Sequence, residues 1–423
     1  MRKTSAIKKD PLIVGMSIYL LIMLLGIAVR TYITQSVATT WLINFAGFVL
    51  FWIIVFRDKI YTYQNAIILI LVYFICSFIT LFLNLRFYSF ALDKIGTNIN
   101  TLVFGGYFII FAFLKRSRPL KDEGLESFFF LLSFLGTASI LIAWVSGFRN
   151  IIQGLTGRIN VYDVRACGLF YSKNIYGAFV SLSAHPDLYL YQKYKRPRSL
   201  LLFALKAAAV ALSFSRAALL QLVLFTFFYF YFNQKGIRKL VYLVVIVLLC
   251  VIIWRIAIKL FPGACDIIIN RIIRFQAGDA GRAWLRRQAA STFFKNSLSI
   301  FFGVGFMGLY ELNLDIDNTY SYLLFTGGII KCCFFAFLFF ESFRTCEKRR
   351  HVNNTLMALC QSVGISYMVF AFFESIPLAE LGLTDFLYTL FMLFIPLGYR
   401  EPQRTPKYLA KGQTEQEEIN ENL

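Results

Sequence analysis

Histidine and acidic residues are scarce in this 423-residue chain: it has 2 His, and 23 Asp plus Glu stand against 43 Lys plus Arg. The two histidines, His185 and His351, have no second nitrogen ligand nearby, so no set for a protein-bound transition metal is expected. The 8 cysteines, Cys76, Cys167, Cys250, Cys265, Cys332, Cys333, Cys346 and Cys360, lie mostly in apolar runs and include no C-x-x-C pair. That excludes a zinc ribbon and a disulfide framework. Only 16% of the chain is charged, against roughly one-quarter in soluble domains, while 58% is apolar. A soluble enzyme, a secreted disulfide module and a disordered protein are thereby excluded. Lipid suits the arithmetic instead, because about twelve spans of about 20 residues would use roughly 240 positions.

Apolar runs at 11–30, 38–56, 65–84, 97–114, 125–147 and 167–190, then 199–214, 217–232, 239–258, 319–341, 355–373 and 384–398, predict an all-α polytopic membrane protein. Residues 1–10 form a basic leader with no small-residue cleavage site after the first run, so that run is a retained span. With the N-terminus in the cytoplasm, the inside loops carry Arg57 and Lys59, then Lys115, Arg116 and Arg118, then Lys193, Lys195, Arg196 and Arg198. Arg344, Lys348, Arg349 and Arg350 follow, and short outside loops hold far fewer cations. The positive-inside rule therefore predicts a multi-pass protein of the cell membrane with both termini cytoplasmic. The organisation expected is nine spans over 11–258, an extracytoplasmic segment at 259–318, three spans over 319–398 and a polar, acidic-ended tail at 399–423.

The extracytoplasmic segment departs from the charge rule, because it holds Lys259, Arg271, Arg274, Arg282, Arg286, Arg287 and Lys295 against few acids. Residues 281–294 can be helical, which would put Arg282 and Arg286 on one face. A solvated face, or one on anionic headgroups, is the modest reading. An anionic substrate at the outer surface is the sharper one.

Three further features fall at that surface. Arg165-Ala-Cys-Gly168-Leu-Phe170 precedes Ser172, Lys173 and Asn174. Ser215-Arg216 sits where two apolar runs meet, and a charge at the bilayer centre would cost about 2.5–3.5 kcal/mol. Gly303-Val-Gly305 leads through Asp315-Ile-Asp317-Asn318-Thr-Tyr320 to Gly327-Gly328. Singly, each has a structural explanation: Arg216 as an interfacial anchor, Gly303 and Gly305 as turn glycines, Asp317-Asn318 as a helix cap. Together, arginines from distant parts of the chain suit a phosphate, whose oxygens guanidinium forks bind bidentately. Asp317 could accept a proton from a hydroxyl. These parts describe glycosyl transfer from a lipid diphosphate.

The same pieces resemble the O-antigen ligase and polymerase superfamily: Arg165-x-x-Gly168-Leu-Phe170 with Asn174, Leu212-Ser-Phe-Ser215-Arg216-Ala217, Gly281-Arg282-x-Trp284, and Gly303-Val-Gly305 followed by Asp317-Asn318-x-Tyr320 and Gly327-Gly328. They span roughly residues 160–335. The resemblance implies a GT-C-like bundle of about twelve helices with a large outer loop between spans 9 and 10. It implies a metal-independent, inverting glycosyltransferase without a cofactor, acting on undecaprenyl-diphosphate-linked oligosaccharide. Arg165, Arg216 and Arg282, with Arg286 as a further candidate, would hold the diphosphate. Asp317 would be the base, and Asn318, Tyr320, Gly303 and Gly305 would support it. Ligases of the superfamily carry His where this chain has Asp317, so it is more similar to the repeat-unit polymerases of Gram-positive capsules and exopolysaccharides. A flippase and a chain-length regulator of the same pathway would be its companions, with membrane lipids around it and no nucleic acid. Two rivals stay open: a ligase moving finished polymer to another acceptor, and a lipid-linked oligosaccharide flippase or transporter. The second would normally show an internal duplication, and none is evident.

Overall fold

The computed structural model describes residues 10–55, 120–155, 167–234, 297–303, 318–374 and 382–399, with scattered helical positions at 75–79 and 238–259. The predicted spans at 65–84, 97–114 and 239–258 lie wholly or largely outside the described residues, as do most of segment 259–318 and the tail.

What is described is almost entirely helical. The elements are α1 (Pro11–Thr34), α2 (Val37–Val55), α3 (Asp122–Leu155), α4 (Lys173–Tyr194) and α5 (Pro197–Leu212). They continue as α6 (Arg216–Asn233), α7 (Ser297–Phe302), α8 (Thr319–Arg349), α9 (Asn354–Phe370) and α10 (Leu383–Gly398). Among the described residues the only strand-like pairing joins Leu120 to Tyr399. Four helices, Pro11–Thr34, Asp122–Gln153, Arg216–Asn233 and Thr319–Arg349, are long and apolar enough to cross a membrane. α2, α9 and α10 contain shorter apolar helices.

The helix boundaries follow local chemistry. Asp10 caps α1, accepting from the Leu12 N–H at 3.0 Å, and Pro11 opens the first turn, where its missing N–H costs nothing. α1 ends in a π-helical turn, Arg30–Thr34, closed by Gln35 in the left-handed region at φ 50°. A second π-helical turn, Leu390–Phe394, loosens α10, and the Ser342 hydroxyl donates to the Met392 carbonyl within it. Such turns leave backbone carbonyls for other partners.

Alternate helices run in opposite directions, and their ends gather in two groups. At one end the Lys193 ammonium bonds Asp122 at 3.0 Å and also Glu126. Burial opposes the Lys193 charge, but the bonds from Glu126 and Asp122 outweigh it and raise its pKa above the usual lysine value. Asn353 reaches Asp122 and Tyr399 there, Asn354 reaches Asn233, and Arg349 donates to the carbonyls of Pro396 and Leu397. At the other end lie the π-helical turn of α1, the loop 167–172, the turn 213–215 and the start of α8.

Between the ends, packing is close, as it must be where lipid tails offer no hydrophobic drive. Tyr19 of α1 stacks on Phe51 at 5.6 Å and meets Phe386 edge-on at 4.9 Å. Among the described residues one ion pair is sealed inside. The Lys206 ammonium of α5 pairs with Asp187 of α4 at 2.5 Å and donates to Ser133 Oγ of α3 at 2.9 Å and to the Ser183 carbonyl at 3.0 Å. Ser133 in turn donates to the second Asp187 oxygen, and both charged side chains are at most 1% exposed. All three ammonium protons are satisfied, which is what permits a charge at this depth.

Candidate functional site

The candidate site is the end of the bundle where the sequence motifs gather. Its first part is the loop after Arg165. The Cys167–Phe170 turn closes with the Phe170 N–H donating to the Cys167 carbonyl at 3.0 Å, and Phe170 is buried against Tyr176 and Phe179. α1 holds this loop from the side. Thr31 Oγ1 donates to the Leu169 carbonyl at 2.7 Å and the Tyr32 hydroxyl to the Gly168 carbonyl at 2.8 Å. The Arg30 guanidinium lies over the Tyr171 ring at 3.6 Å from its centroid, a cation–π contact. Arg165 itself is outside the described residues.

The second part is the turn Ser213-Phe214-Ser215. Phe214 takes φ 54°, an outlier for a bulky side chain, and it packs on Ile151 of α3. Flanking serines supply the turn's hydrogen bonds: Ser213 Oγ donates to the Val210 carbonyl at 2.7 Å and accepts from the Ser215 N–H at 3.2 Å. Ser215 then caps α6, accepting from the Ala218 N–H. Arg216 is the first helical residue and is exposed. A cation there works against the helix dipole, so the sequence places Arg216 against local preference. No carboxylate among the described residues pairs with it.

The third part is the start of α8. Asn318 is its cap, with Oδ1 accepting from the Ser321 N–H at 2.8 Å. The Thr319 N–H donates to the Ala371 and Glu374 carbonyls at 2.9 and 3.1 Å. Tyr320 donates its hydroxyl to the Met368 carbonyl at 2.7 Å and sets its ring 4.5 Å from Phe372. Asn318 thus caps α8 itself, while Thr319 and Tyr320 seat the helix on the end of α9. Asp317, Gly305, Arg282 and Arg286 lie outside the described residues.

Helix registers bring these parts to one level. A Cβ on Gly177 would stand 2.9 Å from Ala218 and 3.0 Å from Ser213 Oγ, so the first turn of α4 packs on the Ser213–Ala218 turn. Arg216 is seventeen residues from Asn233, and Ala371 is seventeen from Asn354. The Asn233–Asn354 bond fixes the far ends of α6 and α9, so Arg216 lies level with Ala371 and the Thr319 it binds. Gly303 does not join this group. It packs on Gly327 and Gly328, nine residues along α8 from Thr319, which is about 13 Å away.

Two sets of residues here are not singled out by the sequence motifs. Arg30 belongs to none of them, although a charge closing an apolar run is a visible signal. The Lys206–Asp187–Ser133 group is signalled by a lysine inside the apolar run of α5, but its partners depend on helix register. Comparison with models of protein families, with curated proteins and with solved structures finds no match for this chain.

Proposed function

We propose that this chain is a membrane glycosyltransferase that joins undecaprenyl-diphosphate-linked oligosaccharide units at the outer face of the cell membrane, a polysaccharide polymerase of the capsule or exopolysaccharide type. In this reading the chain has about twelve spans in a GT-C-like bundle, both termini in the cytoplasm, and segment 259–318 covering the motif end from outside. The observation that carries it is the position of Arg216: an exposed arginine on a helix N-terminus, level with the residues that follow Asp317 and beside the loop that follows Arg165.

The chemistry follows from charge. An acceptor sugar hydroxyl attacks the anomeric carbon of the donor, the bond to the diphosphate breaks, and the hydroxyl proton passes to Asp317. Arg165, Arg216, Arg282 and Arg286 hold the departing diphosphate, and fixed charge aimed at a leaving group often supplies more of the rate enhancement than any other device. Guanidinium suits the task because it stays protonated in a partly dry cavity and binds two oxygens at once.

The test is reconstitution with a defined lipid-diphosphate repeat unit, with products read as a ladder on a gel. Wild type gives a ladder. Arg216→Ala, inserted and folded, gives single units only. A full ladder from Arg216→Ala removes Arg216 from the site, and no ladder from wild type with any repeat unit offered removes the polymerase reading.

A further inference from the structure

The seam between α4 and α6 carries polar groups that the site above does not use. The two helices run in the same direction and in fixed register: Gly177 faces Ala218, the His185 ring stacks on Phe225 at 3.5 Å, and Tyr229 lies within electrostatic reach of Tyr189. This register sets Ser181 level with Gln221, His185 with Phe225, Tyr189 with Tyr229 and Lys193 with Asn233. Each step of four residues is about 6 Å, so the rungs from Gly177 to Lys193 span about 24 Å of a hydrocarbon core about 30 Å thick.

Ser181, His185, Gln221 and Tyr229 are fully buried, at 0% exposure. Among the described residues no group of normal hydrogen-bond geometry meets Ser181 Oγ, either ring nitrogen of His185 or either amide atom of Gln221, and the Tyr229 hydroxyl turns toward the Asn233 side chain short of a hydrogen bond. Tyr388 of α10 turns its hydroxyl toward Gln221, also short of a hydrogen bond. Buried polar atoms are almost always bonded, to protein or to ordered water, and orphans within a bundle are costly. One water between two polar atoms bridges about 5.5 Å, close to the spacing of these rungs. The lower rungs lead outward: Lys193 lies 3.5 Å from the Tyr189 hydroxyl and bonds the half-exposed Asp122.

We infer that this seam is a proton-conducting file through the bundle, with His185 as its relay. Charge decides the ligand class. Among the described residues the carboxylates by the seam are engaged elsewhere: Asp187 is on the other side of α4 and is neutralised by Lys206, Asp122 and Glu126 are bonded to Lys193 at the lower end, and Asp385, near Tyr388, accepts from the Gly382 N–H. A metal cation would find Phe225 and Phe391, not a carboxylate, facing His185, and an anion would meet no cation until Lys193. A proton needs only groups that both accept and donate, and the hydroxyls, the amide and the imidazole do so. A proton that arrives on one His185 nitrogen gives imidazolium, and loss from the other nitrogen restores the neutral ring. The groups facing His185 are Phe225 on α6 and Phe391 on α10; the titratable ones nearest in the seam are Tyr189, Tyr229 and Tyr388.

The experiment uses the full chain in vesicles loaded with a pH-sensitive dye, with a potassium gradient and valinomycin driving protons inward. Wild-type vesicles acidify faster than protein-free ones, and His185→Phe, which keeps the ring stack but cannot titrate, falls to the protein-free rate. Size-exclusion elution and melting temperature verify that the variant is folded. Wild-type vesicles no faster than protein-free ones overturn the inference, as does a wild-type rate in folded His185→Phe. If His185→Phe does not fold, Tyr229→Phe, which removes one hydroxyl, decides: the protein-free rate supports the file and the wild-type rate overturns it. Neither residue touches the proposed diphosphate site, so polymer ladders from these variants are expected to be unchanged, and the two readings fail separately.

Discussion

Lys206 shows how a single charge is made tolerable inside an apolar bundle. Its ammonium has three acceptors, from Asp187, Ser133 and the Ser183 carbonyl, and Asp187 is bonded on both oxygens. The arrangement is satisfied as a unit, so removing one member strands the other. Lys206→Met is expected to cost about 3–5 kcal/mol, because it leaves a carboxylate buried with only a serine hydroxyl. The double variant Lys206→Met with Asp187→Leu removes both charges and is expected to recover most of that loss. Melting temperatures of the purified protein in detergent measure both. Equal losses in the single and double variants would show that packing, and not charge pairing, sets the cost. The lysine is legible in the sequence as a misfit within an apolar run. Asp187 and Ser133 are not legible as its partners, because three helices must first dock.

At the scale of elements, α8 is the informative case. It is interrupted at Gly328, whose φ of 67° and ψ of −168° are open to glycine and essentially closed to other residues. The break lets α7 approach so closely that a Cβ on Gly328 would land on the Phe301 carbonyl, while Gly303, at φ 74°, faces the Gly327 and Gly328 backbone. Gly364 of α9 differs: a Cβ there would meet the edge of the Phe339 ring at 3.2 Å, a side chain that can give by a few tenths of an ångström. Gly328→Ala is therefore expected to destabilise by more than about 1–3 kcal/mol, the cost of such strain alone. Gly364→Ala is expected to cost much less. Limited proteolysis and melting temperature distinguish them, and equal sensitivity of the two would argue against the backbone contact. The glycines stand out in the sequence as candidate parts of a site. Their role here is a helix crossing, which depends on a φ angle that residue spacing alone does not give.

For the molecule as a whole, most of what the hydropathy pattern contains survives in three dimensions. The runs at 11–30, 38–56, 199–214, 217–232, 319–341, 355–373 and 384–398 each correspond to a described helix, because apolar length is a local property. The run at 167–190 begins six residues early, since the loop that ends at Ser172 is apolar enough to pass for helix. The site is less legible. Motif order places Arg216 and the start of α8 at one end, but residue type alone does not separate Asn318 the cap from Asn318 the ligand. The gathering of helix ends makes a prediction at the same scale. Tyr171 and Arg216 belong to one end, whereas Lys195 and Arg350 belong to the other. In a cysteine-free background, Tyr171→Cys and Arg216→Cys should react with an impermeant maleimide on intact cells, and Lys195→Cys and Arg350→Cys only after the membrane is opened. The charge asymmetry of the short loops fixes this sign, since cations retained on the cytoplasmic side are what orient the first spans. Labelling of all four positions from the same side would break the alternation on which the level of Arg216 depends. Labelling of the reverse pair would keep the bundle but move the motif end to the cytoplasm, where a lipid-diphosphate polymerase would have no translocated repeat unit to join.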